Sequence, residues 1–163
     1  MIDTETGAMR ALTLRLQDEI FAIEAGSVRE ILDLVPITEV PNAPAFVGGL
    51  INVRGRVVPL ADLRVTFDMD RPPPDQDTRI VVIEIEIDGE PTVAGILADK
   101  VHDVTDIEAA TIQDAPRVGM RWPAEFVRAI GKRNGDFVII PNLEPIFESQ
   151  GRRSAPTPEE RAP

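Results

Sequence analysis

The sequence predicts a mainly β protein, in which two similar small β subdomains share a hydrophobic interface and a short C-terminal helix follows. Three observations support this fold class. Several segments alternate apolar and polar residues with a period of two, which is typical of half-buried strands. The 15 prolines and 11 glycines among 163 residues disfavour long helices and favour short strands joined by turns. The two halves of the chain also repeat one another in their order of strands and turns.

Alternation and turn signals place the strands along the chain. Residues 11–16 alternate leucine with polar residues, residues 17–19 predict a turn, and residues 20–23 predict the return strand. Later turns are predicted at the glycine-containing pairs Arg54-Gly55, Asp88-Gly89 and Asn134-Gly135, because these pairs suit tight hairpins. The remaining predicted strands are 50–53, 57–60, 79–87, 92–97 and 137–140.

The segment after the first hairpin has a different pattern. Val28, Ile31, Leu32 and Val35 lie at helical spacing, so a helical face is one interpretation. Their β-branched side chains and the following Pro36 disfavour it.

The internal repeat is collinear over several motifs. A shift of 80 positions places Phe46 on Phe126 and Gly55 on Gly135, and a shift of 73 places Glu30 on Asp103. The proline-rich residues 69–78 are stiff and polar, and they predict a linker that joins the two subdomains. We expect residues 1–10 to be a flexible N-terminus, 11–148 to form the folded domain, and 149–163 to be a disordered tail. An Asn142 cap is expected to begin a helix over residues 143–147.

Composition excludes several functions. The chain has 17 Lys and Arg against 28 Asp and Glu, so its formal charge is −11, which disfavours nucleic acids and direct binding to anionic membranes. Without cysteine there is no disulfide or thiolate site, and a single histidine rules out a multi-histidine zinc site within the chain. We expect no metal or cofactor. The sequence before residue 10 lacks the features of a signal peptide.

Catalysis has one weak candidate. Ser27 and His102 could in principle form part of a hydrolase triad, although no Gly-x-Ser-x-Gly motif surrounds Ser27. Glu84 and Glu86 share one face of a predicted strand, and that face is typical of a solvated surface. We therefore expect no catalytic residues.

One segment carries a specific resemblance. Residues 46–64 read FVGGLINVRGRVVPLADLR, and they resemble the signature of the CheW family, the coupling proteins of bacterial chemotaxis. Residues 28–31 and the segment 93–104, VAGILADKVHDV, are similar to other parts of the family pattern. The resemblance extends over most of residues 11–147, with departures at 25–27 and 140–145.

The resemblance implies two intertwined SH3-like β-barrels and an adaptor without enzymatic activity. It implies coupling of the cytoplasmic tips of chemoreceptors to the regulatory domain of the histidine kinase CheA, in signalling arrays that control motility. It also implies a cytoplasmic protein recruited to membrane-associated arrays, where other CheW-like proteins are further possible partners. A non-flagellar chemosensory pathway remains an alternative, because the coupling fold is reused there.

The resemblance also implies partner-binding residues. Arg54 and Glu30 match family positions tied to receptor and kinase coupling, and Gly55 supports the Arg54 turn. A receptor helix is expected to lie in a groove between the subdomains. The expected lining of this groove is Ile23, Val28, Gly49, Val53 and Val101.

Overall fold

The computed structural model describes residues 7–115 and 123–152. Strands dominate this part of the chain, as the sequence predicts. The elements are β1 Ala8–Leu16, β2 Glu19–Glu24, β3 Val28–Asp33, β4 Val47–Val53, β5 Arg56–Ala61, α1 Leu63–Thr66, β6 Arg79–Ile87, β7 Glu90–Ala98, β8 Lys100–Glu108, β9 Val127–Arg133, β10 Asp136–Pro141 and α2 Leu143–Arg152.

The ten strands form two curled sheets of the same topology. The first sheet has the order β8-β1-β2-β10-β9, and the second has the order β3-β6-β7-β5-β4. Each contains one parallel pair, where Phe21 lies beside Ile139 in the first sheet and Leu60 beside Gly95 in the second. The first half of the chain gives two strands to the first sheet and three to the second, and the other half does the reverse. The two subdomains are therefore intertwined.

The sequence repeat corresponds to this topology. Strands β4 and β9 begin 80 residues apart, and so do β5 and β10 and the helices α1 and α2. In each repeat the glycine turn joins the two strands that end the sheet order. The repeat predicted from the sequence therefore has a structural counterpart in the same register.

The helical interpretation of the segment at Val28 is wrong. Residues Val28–Asp33 form the edge strand β3, which pairs antiparallel with β6 from Val28 opposite Ile83 to Asp33 opposite Arg79. Side chains along β3 alternate between half-buried and exposed. The β-branched residues suit this pleated surface, and β6 pairs with β3 along its length apart from one register shift between Val28 and Glu30.

The role expected for residues 69–78 also needs correction. This segment connects β5 and α1 to β6, and both β5 and β6 belong to the second sheet. The chain crosses between the sheets elsewhere, from β2 to β3 and from β7 to β8. The linker therefore separates the two sequence repeats and not the two sheets. Each repeat contributes strands to both sheets.

The outer boundaries shift slightly. Strand β1 begins at Ala8, inside the segment expected to be flexible, and α2 continues to Arg152, beyond the expected start of the tail at 149. Residues 1–6 and 153–163, which hold the rest of the predicted N-terminus and tail, lie outside the described residues.

Within the described ranges, the buried apolar residues form three clusters. One lies within the first sheet around Met9, Ala22 and Val138, and a second lies within the second sheet around Val58 and Ile80. The largest lies between the sheets and draws on both of them. Its aromatic members include two close ring pairs, Phe21 with Phe67 at 5.1 Å between centroids and Phe46 with Phe147 at 5.3 Å. Neither sheet could bury this face alone.

A buried ionic network joins the sheets at the crossing from β7 to β8. The Arg64 guanidinium donates to both carboxylate oxygens of Asp62 at 2.9 Å and to Asp99 Oδ1 at 2.8 Å. The Arg64 side chain is 5% exposed. Asp99 lies between β7 and β8, and its Oδ2 accepts the Gln17 backbone N–H at 2.7 Å. The network thus links α1, the crossing and the β1–β2 turn.

Arg64 remains charged in this setting. Burial disfavours the charged guanidinium, but hydrogen bonds and charge from Asp62 and Asp99 outweigh it, so the pKa of Arg64 is raised above its ordinary value. The bidentate contact with Asp62 is a strong form of arginine–carboxylate pairing. The network is therefore an ion pair with its hydrogen-bonding groups largely satisfied.

We expect Arg64→Met to destabilise the fold by about 3–5 kcal/mol, because it leaves two carboxylates without their buried cation. The matched control is Arg10→Met, which breaks an ion pair whose side chains are 69% and 56% exposed. The control should lower the free energy of unfolding by less than about 1 kcal/mol. Chemical denaturation of the three proteins measures both values, and equal small losses would show that the network does not stabilise the fold.

Candidate partner-binding site

Arg54 and Glu30 lie together although they come from separate motifs. Arg54 Nε lies 3.3 Å from Glu30 Oε2, and Nη2 lies 3.4 Å from Oε1. Glu30 is on β3, and Arg54 is in the turn that follows β4; these strands are the two edges of the second sheet. The ion pair therefore spans the opening between the edges of this curled sheet. The Arg54 side chain is 82% exposed, so it remains available to a partner.

The ion pair stands at the rim of a shallow depression of about 270 Å³, which we call the second-sheet depression. Charged side chains form its rim, and valines form its floor. Its lining comprises Arg29, Glu30, Val53, Arg54, Arg56, Val58, Val82 and Val93. An apolar floor with a charged rim is the usual anatomy of a protein-binding surface.

The first sheet carries an equivalent arrangement, the first-sheet depression, of about 500 Å³. Asp103, which matches Glu30 in the repeat, pairs with Arg133 at 3.1 Å. The hydrogen bond from Arg133, with a smaller one from Thr13, outweighs the effect of burial and lowers the pKa of Asp103. A carboxylate–arginine pair thus links the two edges of each sheet, although its arginine lies in the turn after β4 in the second sheet and at the end of β9 in the first. The sequence analysis missed the second pair. The shift of 73 could have revealed its carboxylate.

The turns beside the two depressions differ in charge. The turn of the second sheet reads Arg54-Gly55-Arg56, and the matching turn of the first sheet reads Asn134-Gly135-Asp136. The two depressions therefore present different charges at matching turns.

The arrangement does not support the hydrolase alternative. Ser27 and His102 line separate depressions, so the structure does not bring them into one site. Glu84 accepts a hydrogen bond from Arg29 at 2.7 Å, as expected for a surface carboxylate. Within residues 7–115 and 123–152, no cluster of three or more His, Cys, Asp or Glu side chains could hold a metal ion. No helix in this part of the chain is long and apolar enough to cross a membrane.

Comparison with known proteins identifies the family. The family described as CheW-like domain matches residues 10–151. The chain belongs to the CheW-like family. It is 30% identical over 149 residues to the chemotaxis protein CheW of Rhizobium meliloti, covering 91% of this chain and 94% of that relative. It is also 30% identical over 146 residues to CheW of Klebsiella aerogenes, with 90% and 86% covered.

A solved structure supports the same assignment. The scaffolding protein TtCheW from Thermoanaerobacter tengcongensis superimposes with a TM-score of 0.76 at 31% identity, over 86% of this chain and 93% of that one. The expected pair of SH3-like subdomains is confirmed. As a CheW-like protein, the chain is a non-enzymatic adaptor of the scaffold type.

The other predicted site residues of this CheW-like protein are dispersed. Val53 is buried in the core of the second sheet and reaches the second-sheet depression. Val28 is half-buried against the core between the sheets, where Ile23 is fully buried. Val101 also packs against the core between the sheets, and it lines the first-sheet depression. The structure therefore places Val101 in a different depression from Arg54. Ile23 keeps little accessible surface, at a depression that β2 and β6 line together.

Gly49 has a structural explanation. Its φ is +147°, and an added Cβ would lie 2.6 Å from both Thr38 O and Ile37 Cγ2. Thr38 and Leu50 exchange backbone hydrogen bonds of 2.9 and 2.8 Å across this position. The absence of a side chain lets the segment after β3 pass directly over β4.

We expect Gly49→Ala to lower stability by about 2 kcal/mol or more, because a side chain would strain the backbone and displace residues 37–38. Gly48→Ala in the same strand is the control, since its Cβ would meet only Leu60 O at 3.7 Å. Its stability should change by no more than about 0.5 kcal/mol. Thermal and chemical unfolding measure both. Wild-type stability in Gly49→Ala, with partner binding alone lost, would make Gly49 a contact residue.

Proposed function

We propose that this CheW-like adaptor couples the cytoplasmic tips of chemoreceptors to the regulatory domain of the histidine kinase CheA in signalling arrays that control motility. The family supports the adaptor role. The observation that carries the proposal further is the Arg54–Glu30 ion pair. Two family coupling positions, 24 residues apart in sequence, are adjacent on one exposed surface.

The chemistry of this surface suits a protein partner. The exposed guanidinium can donate several hydrogen bonds to a carboxylate or a carbonyl of a partner while Glu30 keeps it oriented. The valines beneath it offer apolar contact area, and the charged rim fixes the position of a bound partner. The surface therefore combines a specific polar contact with a modest hydrophobic one, as a reversible signalling contact requires.

The second part of the proposal is simultaneous binding of two partners. The two sheets present depressions at matching positions, and the turns beside them differ in charge. Each depression therefore suits a partner of different charge. A kinase regulatory domain that itself resembles this fold could pair with one of them. The receptor helix would then lie between the sheets, near Val28 and Val101. Other CheW-like proteins could occupy the same type of contact within array rings.

A non-flagellar pathway is the alternative output. The protein PilI of Pseudomonas aeruginosa is 28% identical over 100 residues, which cover 61% of this chain and 54% of PilI. Capture of partners from a lysate of the source organism with the tagged chain, followed by mass spectrometry, distinguishes the pathways by the receptors and kinase recovered. In either case we propose a cytoplasmic protein that receptors recruit to the membrane.

We expect Arg54→Ala to weaken binding of a receptor fragment or of the kinase regulatory domain by at least about tenfold, because a charge-assisted interface contact is lost. Folding should be unaffected, since an exposed ion pair contributes less than about 1 kcal/mol. Arg10→Ala is the matched control. It removes an equal charge from another exposed ion pair, lines neither depression and keeps the Arg54–Glu30 pair. Titration calorimetry beside thermal unfolding measures both effects, and a collapse in Tm without specific loss of binding would make Arg54 structural.

We expect a ternary complex of this chain, a receptor hairpin fragment and the kinase regulatory domain. Light scattering coupled to size-exclusion chromatography should detect it at saturating concentrations of both partners. Complete displacement of one partner by the other would show overlapping surfaces and would contradict the adaptor mechanism.

A further inference from the structure

The turn that presents Arg54 has a backbone conformation that arginine disfavours. Arg54 has a φ of 54° and Gly55 a φ of 84°. Residues other than glycine, asparagine and aspartate adopt this left-handed region only at a cost. The first positions of the other two glycine turns are Asp88 and Asn134, with φ of 52° and 51°, and both residue types tolerate it. Arg54 therefore needs support from its surroundings.

Asn52 supplies that support. Its Oδ1 accepts a hydrogen bond from the Gly55 backbone N–H at 2.8 Å. Val53 and Arg56 are the last paired residues of the hairpin, so Gly55 lies beyond the ladder of strand hydrogen bonds. The Asn52 side chain thus closes over the turn and holds the peptide that follows Arg54.

The direction of the Arg54 side chain depends on this turn. Because the side chain is 82% exposed, little packing constrains it, and the position of its Cβ is set by the backbone of the turn. From there its guanidinium reaches Glu30 on the opposite edge of the sheet, at 3.3 and 3.4 Å. A change in the turn conformation would carry the guanidinium away from Glu30.

The matching turn of the first sheet lacks this device. The residue 80 positions after Asn52 is Lys132, which has donors only and cannot accept the Gly135 N–H. Lys132 lies over the Phe137 ring instead, 5.6 Å from its centroid. The first position of that turn is Asn134, which adopts the left-handed conformation readily. The side-chain acceptor therefore accompanies the arginine and is not a general requirement of these hairpins.

We propose that Asn52 is the positioning residue of the partner site: by accepting the Gly55 N–H, it holds the Arg54-Gly55 turn in the conformation that brings the Arg54 guanidinium to Glu30. This inference rests on the proposed function only in so far as the Arg54–Glu30 pair contacts a partner. The geometric part, from Asn52 to Arg54, is independent of any partner.

The test uses the full chain with Asn52→Ala, Asn52→Asp and Lys132→Ala. Asn52→Asp keeps an acceptor oxygen, and Lys132→Ala changes the matching position of the first sheet. NMR measures exchange with water at the Gly55 amide and the Arg54 Nε–H without any partner. We expect exchange to accelerate about 2–10-fold in Asn52→Ala, as for the loss of one hydrogen bond, and to stay near the wild-type rate in the other two.

Affinity for the receptor fragment and the kinase regulatory domain gives the second measurement. Asn52→Ala should weaken at least one of them about 2–10-fold, and Asn52→Asp should restore it. In an Arg54→Ala background, Asn52→Ala should cause no further loss, because the two residues act as a unit.

Two results would overturn the proposal: unchanged Arg54 exchange in Asn52→Ala, or an equal loss of affinity with and without Arg54. Failure of the wild-type chain to bind either fragment would refute the proposed function instead. The exchange rates would still decide whether Asn52 holds Arg54. A general loss of structure in Asn52→Ala would appear as a lowered Tm. The exchange rate of the Arg54 Nε–H in Asn52→Asp, compared with wild type, would then decide whether the acceptor oxygen holds Arg54.

Discussion

The buried charge of Arg64 is the constraint on which the arrangement of the two sheets depends. A guanidinium withdrawn from water is stable only with carboxylates in fixed positions around it. Asp62 is close to Arg64 in sequence. Asp99 is 35 residues away and lies where the chain passes from β7 to β8. Satisfying Arg64 therefore fixes where the chain leaves one sheet and enters the other. The Gln17 N–H, bonded to the same Asp99, ties the first hairpin to that point.

Exchange of strands makes the two sheets interdependent. Because each half of the sequence contributes to both sheets, the apolar face between them is assembled from both repeats. A unit of about 80 residues buries a limited fraction of its surface, and a shared core relieves this limit. The protein is thus one cooperative body with two similar faces. Two similar faces on one shared core are a natural basis for an adaptor, since both faces are built on the same framework.

The two sheets are similar in strand order and in their carboxylate–arginine pairs, but their glycine turns differ. Both keep a carboxylate–arginine pair across the two edges of the sheet, Glu30 with Arg54 and Asp103 with Arg133. In the second sheet Arg54 lies in the turn itself, where its backbone adopts a disfavoured left-handed conformation. Strain of this kind is characteristic of functional positions, where placement of a group outweighs local stability. The first sheet, with asparagine in its turn, has an unstrained version of the same hairpin.

The sequence by itself determined most of the strands, the glycine turns, the repeat and the family motif, because alternation, the preference of tight turns for glycine and motif spacing are local properties of the chain. Alternation alone predicted neither β8 nor β9 as a strand. The sequence did not determine that residues 28–33 form a strand, since their spacing also suits a helix and only the hydrogen-bonding partner β6 decides between them. It did not reveal the path between the sheets, or that Gly49 accommodates residues 37–38. The tertiary structure alone decided which candidate residues meet. Arg54 reaches Glu30 while Val101 faces another depression, because these relationships arise from curling the sheets and exchanging their strands.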